Sequence, residues 1–425
     1  MKNDTLNQKI LQILKEELIP AMGCTEPIAI SYAAALLREK LGYMPDRLIA
    51  ECSGNIIKNV RCVRIPSSDG MIGIESAMAL GAIGGDASLK MNVLSSITST
   101  HRREAQKYIE NGCCQVRLLH SDTPLHFIIR GVSNDSEIMV EVQYSHLNVV
   151  KIEKDHVVLF RKNEVPEQEK ENNRSILNIH SIKRFADDAQ VDELDQMFHD
   201  MISMNMDIAE EGMNGHYGIG LGKLIRETEN NGCFSEIKAY TASASEARMD
   251  GCNMPVVINS GSGNQGIASS VPVIVFCRKM GIPYETMLRG LAVSTLLTIY
   301  QKEFIGRLSA FCGAVSASCA SGAAITYLCG GDESQICATI DNMLADIPGV
   351  ICDGAKITCA AKIASCLDAA FMAHKLAMAG KRYSKNNGIL RNNADETIKC
   401  IGFVGREGMR QTDCTILKAM LSDNP

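Results

Sequence analysis

The sequence has no Lys/Arg run longer than an adjacent pair, no apolar run long enough for a bilayer crossing, and none of the dense short cysteine spacings of a disulfide scaffold. Each absence removes a class of function. Without a basic patch, and with a formal net charge of -6, neither nucleic acid nor an anionic membrane has electrostatic support as a partner. A membrane span takes ~20 apolar residues, and the amphipathic N-terminus MKNDTLNQKILQILKEELIP lacks the continuous apolar core of a signal peptide. The chain is therefore expected in the cytoplasm, where its 17 cysteines would stay reduced, as core residues or as metal ligands. Small molecules are the expected partners.

What is present is a folded chain of 425 residues, 46% of them hydrophobic, enough for two or three domains with sizeable cores. Leu6, Ile10, Ile13, Leu14 and Leu18 recur at helical spacing, and Pro20 ends that run. EPIAISYAAALLREKL reads as a second helix with Pro27 in its first turn. A Gly/Ala/Ser-rich stretch follows, with a strand-like start, LIAECSGNIIKNVRCVRIP, and a small-residue helix, ESAMALGAIGG. From 115 to 161 the chain is β-rich with alternation, which predicts an antiparallel module. The polar segment RKNEVPEQEKENNRS, residues 161 to 175, predicts a solvated linker. Beyond it lie an amphipathic helical stretch (179–212) and apolar helices over 266–300 and 308–329. The expected fold is α+β, a mostly helical Gly/Ala-rich catalytic core with a small antiparallel β subdomain in the first half. The expected division is 1–100 (mixed, carrying GCTEP), 101–165 (β-rich) and 166–425 (helical, cluster-binding). Its Gly- and Ala-rich surfaces suggest a homodimer.

Three stretches could carry chemistry. In GVICDGAKITCAAK, Cys352 and Cys359 lie seven residues apart, ~10 Å on a continuous helix, too far to grip one small site. A helix starting at an Asp353 cap would leave Cys352 in the preceding loop, free to bend back. Cys312 in GRLSAFCGA lies at the mouth of a helix and would have to join them through space. Three thiolates leave an open position on a metal site, but buried free cysteines are common, and spacing alone leaves both readings open. In AMGCTEP, Cys24 precedes a helix N-terminus that favours thiolate. In MPVVINSGSGNQG, the loop Ser260, Gly261, Ser262, Gly263 and Asn264 exposes amides and hydroxyls suited to a carboxylate or phosphate. It carries no Walker A lysine, and a nucleotide is disfavoured.

Taken in order, AMGCTEP, SGNIIKNV, NSGSGNQG, GRLSAFCGA and GVICDGAKITCAAK resemble the L-cysteine desulfidase family, related to the α-chain of iron-sulfur L-serine dehydratases; the resemblance runs from about residue 10 to 415. It implies Cys24 as catalytic base and Cys312, Cys352 and Cys359 as ligands of a 4Fe-4S cluster, with the Ser260–Asn264 loop holding an amino-acid substrate. The implied reaction is β-elimination of L-cysteine to hydrogen sulfide, ammonia and pyruvate. Extra cysteines at 52, 62, 113, 114, 400 and 414 lie outside the family pattern, and most of them are expected to pack. The nearest rival is L-serine dehydration on the same kind of cluster. Pyridoxal phosphate chemistry lacks a lysine context, and an iron or redox sensor lacks a basic helix.

Overall fold

The computed structural model describes residues 2–133, 136–162, 174–230, 232–306 and 308–421; most of the expected linker falls outside them. The chain opens on α1 (Lys2–Glu17), which buries Ile10, Leu11, Ile13 and Leu14. A short strand, β1 (Pro20–Met22), leads into α2 (Thr25–Leu41). Next come β2 (Arg47–Cys52), α3 (Gly54–Val60), α4 (Gly73–Gly84), α5 (Ser99–Glu110) and β3 (Cys114–Leu118). The strands β4 (His126–Ser133), β5 (Ser136–Gln143), β6 (Val149–Lys154) and β7 (Val157–Arg161) complete a six-stranded sheet in the order β3-β2-β4-β5-β6-β7.

That sheet is mixed rather than purely antiparallel, because β2 inserts between β3 and β4 and runs parallel to β3, Leu48 opposite Cys114. The strand-like stretch stops at Cys52. Ser53, extended at ψ 155°, starts α3 directly after it, so most of SGNIIKNV is helix. β2 is six residues long, too short for its alternation to show where it pairs.

Ile138, Val140, Val142 and Ile152 on one face of the sheet share a core with α2 and α4. These two helices approach closely through small residues: a Cβ added at Gly81 would lie 2.2 Å from the Ser31 carbonyl oxygen. Gly81→Ala is therefore expected to cost about 1–3 kcal/mol of overpacking, read as a lower urea midpoint at unchanged slope.

Among its described residues the second half is helical apart from one strand: α6 (Ile179–Asp188), α7 (Val191–Asn214), α8 (Leu221–Thr228), α9 (Cys233–Met249), β8 (Pro255–Val257), α10 (Gly263–Met280), α11 (Tyr284–Ile305), α12 (Gly313–Leu328), α13 (Glu333–Asp346), α14 (Cys359–Met378), α15 (Ala394–Phe403) and α16 (Arg410–Leu421). α9, α10, α11 and α12 are buried on nearly every face, as helices without a polar stripe must be. The amphipathic α6 and α7 cover them from outside. Among the described residues no helix is long and apolar enough to cross a membrane.

Candidate active site

Two short antiparallel contacts assemble the site. β1 pairs with β8, Pro20 opposite Val257 and Met22 opposite Pro255, so the GCTEP turn emerges beside the NSGSGNQG loop. Thr25 Oγ1 then donates to the Gly261 carbonyl at 3.1 Å. Arg248, near the end of α9, ties the same two segments together through the Gly23 carbonyl (2.8 Å) and Asn264 Oδ1 (3.1 Å). In the second contact Phe311 bridges Ile351. The Cys312 amide donates to the Val350 carbonyl at 2.8 Å and the Cys352 amide to the Ala310 carbonyl at 2.7 Å. Two cysteines forty residues apart are thereby side by side.

Cys359 joins them because the helix does not begin where a cap at Asp353 would place it. α14 starts at Cys359 itself, with Thr358 before it. Asp353 is instead an ion-pair partner of Lys356 and Lys362, which hold it at about 2 against the opposing pull of burial. The intervening loop turns at Gly354 (φ 97°), where a Cβ would sit 2.2 Å from the Lys58 carbonyl oxygen. Only glycine fits both that left-handed backbone and that close approach to α3.

Cys24, Cys312, Cys352 and Cys359 all line one cleft of about 110 Å³. It is small beside the roughly 300–1,000 Å³ of drug-sized pockets and suits a small metabolite. Gly261, Ser262 and Asn264 line it as well. Ser260 lies at φ 50° and is turned toward Asn259 Oδ1 (2.8 Å), while Gly263 packs against the Arg248 guanidinium; neither lines the cleft. The string Gly261-Ser262-Gly263-Asn264-Gln265-Gly266 has the glycine spacing of a dinucleotide turn, but its context differs. β8 is three residues long and pairs antiparallel with β1, whereas that fingerprint belongs to a parallel βαβ unit.

The thiols differ in charge preference. Cys24 is the N-cap residue of α2 and buried; burial pushes its thiol up to about 12, and Arg248 is the group opposing that. The helix N-terminus expected to favour thiolate is thus outweighed by desolvation. Cys352 goes the other way: the neighbouring Cys312 thiol, first, then Lys58, the Gly354 amide and Lys362 lower it against burial. Cys312 is raised by the neighbouring Cys352 and by burial, and Cys359 is raised by burial first.

Several lining residues escaped the sequence reading: Glu26, Asn59, Arg248, Gln265 and Lys302. Asn59 donates to Glu26 at 3.0 Å, which explains why SGNIIKNV belongs to the site. Arg248 and Lys302 did carry a signal. Each is a cation in a helix otherwise buried on nearly all faces, ASASEARM and TIYQKEFI, and a buried cation needs a partner.

The donor set fits a cluster held by three thiolates. Each of the three sulfurs has a backbone amide beside it, from Ala314, Gly354 and Lys356 respectively, the kind of contact that stabilises cluster-bound sulfur. Lys58, Lys362 and Lys302 add positive charge to Cys352 or its neighbours. Among the described residues no three His, Cys, Asp or Glu side chains converge as ligands of a single ion; in a cubane each thiolate serves a different iron, so convergence on one point is not required.

The arrangement belongs to a recognisable class. The family model of the serine dehydratase alpha chain matches residues 88–418, and the chain belongs to this family. It is also similar along nearly its whole length to proteins known as UPF0597. One from Lachnoclostridium phytofermentans is 43% identical over 415 residues, 98% of this chain and 100% of that relative. One from Treponema denticola is 43% identical over 424 residues, 98% of each. One from Bacteroides thetaiotaomicron is 35% identical over 419 residues, 97% of each.

Proposed function

We propose that this protein is an L-cysteine desulfidase, converting L-cysteine to hydrogen sulfide, ammonia and pyruvate by β-elimination. The observation carrying this reading is the single cleft in which Cys24 shares the walls with Cys312, Cys352 and Cys359. Those three thiolates would hold a 4Fe-4S cluster. When bound, the cluster supplies an iron with an open position, a soft Lewis acid suited to the substrate's sulfur.

The chain's own groups do the rest. Ser262, Asn264 and the N-terminal amides of α10 hold the substrate carboxylate, and Glu26, tethered by Thr25 (3.0 Å) and Asn59 (3.0 Å), is positioned for its ammonium. Cys24, as thiolate beside Arg248, takes the α-proton. A thiol of raised pKa is a strong base once ionised, which suits a weakly acidic C–H. Loss of the α-proton and of sulfide leaves aminoacrylate, which tautomerises to an imine and hydrolyses to pyruvate and ammonia.

The family membership favours a second reading, L-serine dehydration, in which water replaces sulfide as the leaving product. Anaerobically reconstituted protein should be assayed side by side for sulfide from L-cysteine and pyruvate from L-serine. Faster turnover of cysteine is expected. Pyruvate from serine with no sulfide from cysteine would make the protein a serine dehydratase.

A further inference from the structure

The cations around the thiols are not equivalent. Lys58 pairs with Asp413, and Lys356 and Lys362 share Asp353. Lys302 lies in the last turn of α11, is 6% exposed, and lines the same cleft as Cys312 and Cys352. Among the described residues it has no carboxylate partner. A buried ammonium without an anion is unfavourable, and an anion placed beside it would offset that cost. Its immediate surroundings on α11 supply none: Gln301 is neutral and donates to the Leu297 and Ser316 carbonyls (3.2 and 3.0 Å), and Glu303 accepts from Arg174 at 3.1 Å. What remains at the ammonium is the pair of thiols.

We infer that Lys302 is the built-in charge partner of the cluster held by Cys312, Cys352 and Cys359, and that it sets the cluster's reduction potential and its resistance to oxidation. This rests on the cluster reading above. A cubane core on three thiolates carries net negative charge, and a fixed positive charge beside it, in a site shielded from water, favours the more negative, reduced state. Losing an electron to an oxidant is correspondingly harder while Lys302 is present. Lys302 is a positioning residue in charge terms and takes no proton in the reaction.

The test compares Lys302→Met, which keeps length and removes charge, with Lys302→Arg, which keeps charge. Each is reconstituted anaerobically, its iron counted, and its cluster titrated electrochemically without substrate. The Met variant should hold full iron, show a more negative midpoint potential and bleach in air several-fold faster, while the Arg variant stays close to the parent. The cluster-free Met variant should melt no lower than the cluster-free parent, since an uncompensated buried charge has gone. Full iron with an unmoved potential would overturn the proposal, and a raised KM for cysteine in that case would make Lys302 a carboxylate contact instead. Loss of iron from the Met variant, alone or together with the Arg variant, would show that Lys302 holds the site together rather than tuning its potential, and overturns the proposal. A parent protein that takes up no iron would refute the cluster reading itself, which the iron count separates from failure of the Lys302 role.

Discussion

Cys24→Ser is expected to lose about 10²–10⁴-fold in turnover, the usual worth of a positioned base, while its iron content stays at the parent level. Serine keeps the size of the side chain, but its hydroxyl ionises far above a thiol. Cluster retention needs no proton acceptor at position 24, so it should survive. The base role also has a pH signature. With burial holding the Cys24 thiol at about 12 and Arg248 pulling it down, activity should rise as pH increases toward the alkaline range. Arg248→Met should move that rise to higher pH, because it removes the group that lowers the pKa. Substrate deuterated at the α-carbon should slow the parent enzyme if proton removal limits turnover. Loss of iron from Cys24→Ser would make Cys24 a fourth ligand, leave no open iron position, and defeat the mechanism.

Cys312→Ala, Cys352→Ala and Cys359→Ala should each abolish both iron retention and activity, since two thiolates do not hold a cubane firmly. Anaerobic iron analysis and loss of the brown colour measure this directly. Cys319→Ala and Cys366→Ala serve as controls: both residues are buried in the helical core, and burial pushes their thiols up. They should bind iron normally and lose on the order of 1 kcal/mol of stability. Cys329 is exposed, so its replacement should cost less still. Full iron in any of the first three would remove that residue from the site.

Local sequence carried a good deal of this protein. Pro20 and the i, i+3, i+4 apolar positions marked α1, Pro27 marked the start of α2, and the apolar runs over 266–300 and 308–329 marked α10, α11 and α12 as buried. These features are local because capping, proline geometry and helical periodicity act within a few residues. Motif order, read as resemblance, singled out four of the seventeen cysteines, and all four line the cleft. Spacing without that resemblance left Cys352 and Cys359 as plausible core residues.

Other features were decided only in three dimensions. β2 joined a sheet otherwise encoded some sixty residues later, because strand partners are chosen by packing on α2 and α4 and not by the strand's own alternation. Asp353 became an ion-pair acceptor for Lys356 and Lys362, since two lysines within reach compete successfully with a helix cap. Desolvation outweighed the helix terminus at Cys24, a contest whose outcome depends on how deeply the fold buries the thiol. Residue types and short-range order were thus determined by the sequence itself. The meeting of Cys312 with Cys352, and of the GCTEP turn with Asn264 through Arg248, required the β1–β8 and Phe311–Ile351 contacts, because proximity between residues far apart in the chain is created by tertiary packing.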